Sequence, residues 1–308
     1  MKLSVIVIFH NMRREAARTL FTLSPPYQRG VSGLNYEVIA IDNGSDDPLN
    51  EAEVRAFGPQ FRYHYLQTQS RSPVEAVNVG ADMARGDAIA VIVDGARMVT
   101  PGLIQRSVQA LGVAETPFIS ALSWHLGPDI QPNTLQHGYN QTVEDALLGS
   151  INWREDGYRL FDISTLAPSS RPGFLGDMPS ECSWFCMPRK DFHDIGKFDA
   201  RFQTPGGGFC NQEFRNRAVS VVGVVPVALL GEGLFHQFHG GAATNSPPDR
   251  RPHKGFAAEY EAIFARPLHR APTPETVYFG TLDSHSRRFV NPDADTAAEP
   301  GQSQSRPL

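Results

Sequence analysis

The chain has 308 residues, 41% of them hydrophobic and 20% charged, with a formal net charge of −5. That composition belongs to a globular protein with room for one large core or two modest ones. It lacks the basic surplus of a general nucleic-acid binder, and no apolar run approaches the ~18 to 20 residues that span a bilayer. There are three cysteines, Cys182, Cys186 and Cys210. Such a small, odd number points to a reducing compartment and hence the cytoplasm. The Cys182/Cys186 spacing is not that of common zinc or redox pairs, so all three read as buried apolar side chains.

The opening run Leu3 to Phe9 is too short and too bare of a cleavage site for a signal peptide and reads as a strand. His10 to about Leu23 places Ala16, Ala17, Leu20 and Leu23 at helical spacing, stopped by Ser24-Pro25-Pro26. Tyr36 to Ile41 is a second strand, ending in Asp42-Asn43-Gly44-Ser45. Glu51 to Phe57 is a short helix and Phe61 to Leu66 an edge-like strand. A helix follows from Ser72, the expected N-cap, with Pro73 in its first turn and Gly86 beyond its end.

Ala88 to Val93 is an uncharged run bounded by Gly86-Asp87 and Asp94-Gly95. It reads as a strand buried on both faces, as inside a parallel sheet. Next come a helix from Thr100 to about Leu111 and a strand from Phe118 to Trp124. From Gly127 to Gly176 the pattern weakens to loops around a helix near Thr142 to Ile151. The second half offers a strand at Glu181 to Met187, helices at Pro188 to Ile195 and 209 to 220, a strand at Val221 to Leu230 and a helix at Ala257 to Ala265. The expected division is a main domain over 1–245, a helical and extended segment over 246–288 and a disordered tail over 289–308.

Alternating strands and helices imply an α/β fold, a mostly parallel but mixed sheet with helices on both faces. Right-handed crossovers would bring the ends of the first, second and fourth strands to one rim, where ligands sit in open sheets. Four clusters would meet there: Phe9-His10-Asn11, able to frame a flat ring; Asp42-Asn43-Gly44, with a carboxylate to accept from a base N–H; Asp94-Gly95-Ala96; and the pair His236 and His239. Two residues between those histidines would let both face one site if the stretch were helical. Arg13 and Arg14 are weaker phosphate partners, and Trp124 and Trp184 could stack on a sugar but fit core packing better.

These pieces resemble glycosyltransferase family 2 enzymes of the GT-A fold. The resemblance is carried by Ser4-Val5-Ile6-Val7, Val38 to Asp47, Asn78-Val79-Gly80, Ala84-Arg85-Gly86-Asp87, Val93-Asp94-Gly95-Ala96 and Ile195 to Phe202, over about residues 3 to 240. It implies a nucleotide-diphosphate sugar donor, expected to be a UDP-sugar, whose sugar passes with inversion to a hydroxyl acceptor: a glycan, a lipid-linked molecule or a small molecule. Nucleic acid is not expected as a partner. No transmembrane segment is expected either, with peripheral membrane association left open.

In that pattern Asp42 matches the acid that reads the nucleobase. Phe9, His10, Asn11, Asn43, Gly44, Asn78 and Gly95 complete the donor site. Asp94 matches the first acid of the family's Asp-x-Asp motif, which meets ribose and a divalent cation, Mn²⁺ or Mg²⁺. The motif's last position is Ala96 here, so His236 and His239 become candidate cation ligands beside Asp94. The family's base usually lies in a Glu-Asp pair at a helix start, and the carboxylate in the corresponding stretch is Glu213, with Glu181 a second candidate. Ala96 and the missing pair also suit a non-catalytic nucleotide-sugar-binding module. A nucleotidyltransferase would want a glycine-rich loop after the first strand, and 10–14 contains no glycine.

Overall fold

The computed structural model describes residues 2–171, 176–241, 244–245 and 252–290. The first half builds β1 (Lys2–Phe9), α1 (Arg13–Thr22), β2 (Asn35–Asn43), α2 (Glu51–Arg55), β3 (Phe61–Leu66), α3 (Val74–Met83), β4 (Ala88–Ile92), β5 (Arg97–Val99), α4 (Leu103–Ala110) and β6 (Pro117–Leu126). After it come α5 (Gln131–Thr134), α6 (Gln141–Gly149), β7 (Ser164–Leu166), β8 (Trp184–Pro188), α7 (Arg189–Asp194), α8 (Cys210–Val219), β9 (Val225–His236), α9 (His253–Phe264) and β10 (Val277–Gly280).

The strands form one sheet in the order β10-β9-β6-β8-β4-β1-β2-β3, with β5 pairing β9 and β7 pairing β6 off that path. β3, β2, β1 and β4 run parallel, β8 is antiparallel to both β4 and β6, and β9 and β10 continue parallel to β6. The sheet is therefore mixed, and it is covered on both faces. Along β1, Val5, Val7 and Phe9 enter one apolar core while Ile6 and Ile8 enter the other. That period-two division explains why the central strands read as unbroken apolar runs rather than alternating ones.

Gly80 lets α3 lie directly on β1, since a Cβ there would stand 2.5 Å from Ile6 Cγ2. Ser72 precedes Pro73, whose dihedrals are already helical, and its hydroxyl accepts from the Val74 N–H at 3.5 Å, the contact expected of an N-cap. The same hydroxyl donates to Phe202 O. Trp124 and Trp184 are fully buried core residues, the latter donating to Ser107 Oγ, so neither faces a ligand. The three cysteines are buried thiols, as the spacing implied.

The segment after 245 folds back onto the same sheet: β10 adds a strand beside β9, and Tyr260 of α9 packs into the second core. Phe289 closes against Trp124 and Phe161. The remainder of the tail, 291–308, lies outside the described residues. No helix among the described residues is long and apolar enough to cross a membrane.

Candidate active site

β1, β2 and β4 end on one rim, and a cavity of about 530 Å³ opens beyond them. Asp94 stands on its wall, two residues past β4. Gly95 fixes that turn. Its N–H donates to Ile8 O at 2.7 Å, and a Cβ would stand 2.4 Å from the Phe9 ring. Thr19 Oγ1 donates to Gly95 O, and the Ala96 N–H donates to Asp94 Oδ1 at 3.1 Å. Phe9 and Gly95 thus shape the site from behind without lining the cavity.

The two histidines reach Asp94 from the far side, but not by way of a helix. His236 is the last residue of β9, a strand that runs six residues past its expected end at Leu230, and His239 follows in the next turn. His236 Nε2 lies 3.0 Å from Asp94 Oδ2, and His239 Nε2 lies 3.6 Å from Asp94 Oδ1. One ligand atom from each of the three residues falls within 4.8 Å of the others.

Gln131 sets the His236 tautomer. Its Nε2 donates to His236 O at 2.9 Å, which turns its Oε1 toward His236 Nδ1 at 2.6 Å. Nδ1 must therefore carry the proton, leaving the Nε2 lone pair to face Asp94. Burial outweighs the pull of Asp94 and brings the His236 pKa down to about 4, so the ring is neutral at pH 7. Burial also opposes the Asp94 charge, but His239, His236 and Arg97 overcome it and hold that carboxyl well below the usual range. His239 is pulled down by burial and raised by Asp94, with the rise prevailing.

Among the described residues neither histidine Nε2 has a well-aligned hydrogen-bond partner, although Asp94 oxygens lie 3.0 and 3.6 Å away. A neutral imidazole lone pair aimed at a carboxylate is unfavourable unless a cation lies between them. The donor set of one carboxylate and two imidazoles therefore fits a divalent transition metal, Mn²⁺ better than Mg²⁺.

The turn carrying His239 is held from beneath. The Phe238 N–H donates to Glu144 Oε2 at 2.6 Å, and Gln237 Nε2 donates to Glu15 O and Thr19 Oγ1. Arg14 donates to Glu15, Glu144 and Asp145, while Arg13 pairs with Asp47 and Glu53, so both arginines serve the scaffold and not a phosphate. Burial pushes the Glu144 carboxyl up to about 7 despite the Phe238 N–H, Arg14 and Arg18.

At the β1 and β2 ends the expected base reader, Asp42, does not reach the cavity. Asp42 is fully buried and absent from the cavity wall; its Oδ1 accepts from Ser45 N at 2.9 Å and its Oδ2 from Leu49 N at 2.8 Å. It holds the loop. Asn43, next to it, does line the cavity. Asn43 Nδ2 donates to Ser70 O and Ser72 O, and its Oδ1 is buried without a partner among the described residues. His10 Nδ1 donates to Asn43 O at 2.9 Å. Asn11, at φ 53, exchanges bonds with Ser45 and Asp46, a left-handed geometry that asparagine tolerates well. His10 and Asn11 line the cavity. Gly44 does not: at φ 66 a Cβ would meet Thr68 O at 2.4 Å, so its role is the turn itself. Asn78 is also structural, exchanging two hydrogen bonds with the Phe198 backbone and so tying α3 to the 195–202 stretch.

Glu213 does not reach the cavity either. It is buried on α8 and gripped by Arg217, Nε to Oε1 at 2.7 Å and Nη2 to Oε2 at 2.9 Å, away from the cavity wall. Both oxygens are occupied by the guanidinium fork, the arrangement that fixes a carboxylate in place. The start of α8 does reach the cavity, but through Cys210, Asn211 and Gln212. Among the described residues the carboxylates on the wall are Asp94 and Glu181. Among the described residues Glu181 makes no hydrogen bond or ion pair. Burial raises its pKa, with Arg97 opposing and Asp94 reinforcing the rise. Arg97, on the same wall, was not singled out in the sequence, although its place three residues after Asp94 was the available signal. The far end of the cavity carries Phe209, His253 and Phe256, packed edge to face or tilted.

A rim-bound cavity over a mixed sheet of this order, with an acid after the fourth strand, defines a protein of the GT-A glycosyltransferase fold. Residues 4–145 match the family model described as Glycosyl transferase family 2. Among solved structures, Staphylococcus aureus TarS superposes with a TM-score of 0.51 at 13% identity, over 78% of this chain and 37% of TarS. The chain thus spans little more than a third of that protein's length. TarS 1–349 in complex with UDP-GlcNAc gives 0.48 at 15% identity, over 85% of this chain and 67% of that one. At these identities the likeness is one of fold. No curated protein matches the chain.

Proposed function

We propose that the cavity binds a nucleoside-diphosphate sugar and transfers the sugar to a hydroxyl acceptor. The observation that carries this is the convergence of Asp94, His236 and His239 at the strand rim, one ligand atom of each within 4.8 Å of the others, with Asp94 and His239 lining the cavity and His236 buried behind them. The family model matched by residues 4–145 supplies the reaction class, and a uridine diphosphate donor is the expectation that the sequence resemblance carries.

In this reading Asn43 Oδ1 accepts from a base N–H, the role that Asp42 gives up by holding the loop. His10 and Asn11 border the ring. Asp94, His236 and His239 would hold a divalent cation, which supplies charge neutralisation for the departing nucleoside diphosphate. Glu181 takes the proton from the attacking acceptor hydroxyl, replacing the carboxylate that the start of α8 lacks. Its raised pKa improves it as a proton acceptor near neutral pH. Attack opposite the leaving group inverts the anomeric centre, with Phe209 and Phe256 bordering the acceptor.

The module reading keeps one specific support, the absence of a carboxylate from the cavity-facing residues Cys210, Asn211 and Gln212. Calorimetry with UDP in the presence of Mn²⁺, followed by mass spectrometry of candidate UDP-sugars incubated with the protein, separates the two. Binding with sugar release or transfer supports the enzyme, and binding with every donor left intact supports the module. Absence of nucleotide binding removes both.

A further inference from the structure

We propose that Arg97 contacts the donor's diphosphate directly, so that nucleotide binding is partly independent of the divalent cation. This deepens the donor reading above and rests on it. Arg97 opens β5 and lies opposite His236 in the antiparallel β5/β9 pair, which places its guanidinium in the same corner as Asp94. The residue is only 7% exposed, yet it lines the cavity.

Its donors are incompletely used. Nη1 donates to Ser123 Oγ at 2.7 Å, which orients the plane. Nη2 stands 3.4 Å from Asp94 Oδ2, an ion pair without a hydrogen bond, and Nε is buried without a partner, both among the described residues. Buried guanidinium N–H groups are normally satisfied, so unspent donors on a residue that lines the cavity indicate an acceptor that arrives from outside. A planar fork of N–H donors matches the oxygens of a phosphate.

The charges lead to the same ligand. A site built only to hold a dication gains nothing from a fixed cation beside its carboxylate, because the two repel. This site has one carboxylate where the family's motif has two, since Ala96 occupies the last position. A nucleoside diphosphate carries enough negative charge to attract both Arg97 and the metal. Arg97 therefore takes over part of the charge neutralisation that the missing acid would have assigned to a more tightly held ion.

The test compares the wild type, R97Q and R97K. UDP binding is measured by calorimetry once with EDTA and once with MnCl₂, and Mn²⁺ binding alone is followed by electron paramagnetic resonance. The wild type binds UDP in EDTA. R97Q weakens that binding at least ~10-fold, the scale of a lost charge-assisted hydrogen bond. R97K, which keeps the charge but not the fork, falls between them. R97Q also binds Mn²⁺ more tightly than the wild type, because a repelling charge is gone; a damaged fold would lose affinity for both ligands. The proposal is overturned if the wild type needs Mn²⁺ to bind UDP, or if R97Q leaves the EDTA affinity unchanged or weakens Mn²⁺ binding. In those cases UDP binding with Mn²⁺ leaves the donor reading standing, whereas no UDP binding in either buffer removes that reading and this one together.

Discussion

Gln131 touches neither the cavity nor Asp94, yet it decides how His236 presents itself. Gln131→Leu preserves the approximate bulk of a fully buried side chain and removes three contacts: the acceptor for His236 Nδ1–H at 2.6 Å, the donor to His236 O at 2.9 Å, and the acceptor for Asn245 Nδ2 at 2.9 Å. Without the first, the ring loses the bond that keeps its proton on Nδ1 and its lone pair toward Asp94. Losing an outer partner of a ligating histidine typically weakens metal binding about 10- to 100-fold, which is ~1.4 to 2.8 kcal/mol. The unsatisfied His236 carbonyl adds a stability cost of ~1 to 3 kcal/mol, so binding is to be measured well below the variant's melting temperature. Titrating free Mn²⁺ by electron paramagnetic resonance reads the affinity, and thermal denaturation reads the fold. A folded Gln131→Leu protein with wild-type Mn²⁺ affinity would refute the tautomer argument.

Other substitutions separate scaffold from chemistry. Glu181→Gln is expected to slow transfer by roughly 10²- to 10⁴-fold while UDP affinity, read by calorimetry, stays near wild type. Glu213→Gln should do the reverse, lowering the denaturation midpoint through the loosened Arg217 fork while the surviving folded protein binds UDP normally. Glu144 bears on pH. Its folded pKa of about 7 lies above its unfolded value, so the folded state holds the extra proton and the contribution is full below about 4.5 and lost as pH rises through 7. Urea midpoints should therefore fall less between pH 5 and 8 in Glu144→Gln than in the wild type, and an equal or steeper fall would contradict the assignment.

The fold was legible because its strands are buried on both faces. Runs such as Ala88 to Val93 and Val38 to Ile41 admit few other readings, and their acids mark the rim that parallel topology must share. Strand and helix ends were less legible, since tertiary contacts set them. β9 extends to His236 because β5 and β6 pair with it there, and β5 itself is a three-residue strand with no periodicity to detect.

Within the site, Asp94 and the histidines were visible as residue types, but their meeting depends on Gly95 and on a turn anchored by Glu144, far away in sequence. Asp42 and Glu213 illustrate the opposite case. A carboxylate's position in a motif does not reveal whether backbone N–H groups or an arginine already occupy it. Asn43, Arg97 and Glu181 matter for the complementary reason, that each carries an unused donor or acceptor on the cavity wall, and the sequence holds no record of which polar atoms stay unpaired.

The central claim is that Asp94, His236 and His239 hold a divalent cation beneath a nucleoside diphosphate. Crystals grown with MnCl₂ and UDP, with data collected at the manganese absorption edge, test it most directly. The account predicts an anomalous peak bonded to an Asp94 carboxylate oxygen and to both histidine Nε2 atoms, with the diphosphate against it. UDP bound in the cavity with no peak among those three side chains, or with the ion held by other residues, would contradict it.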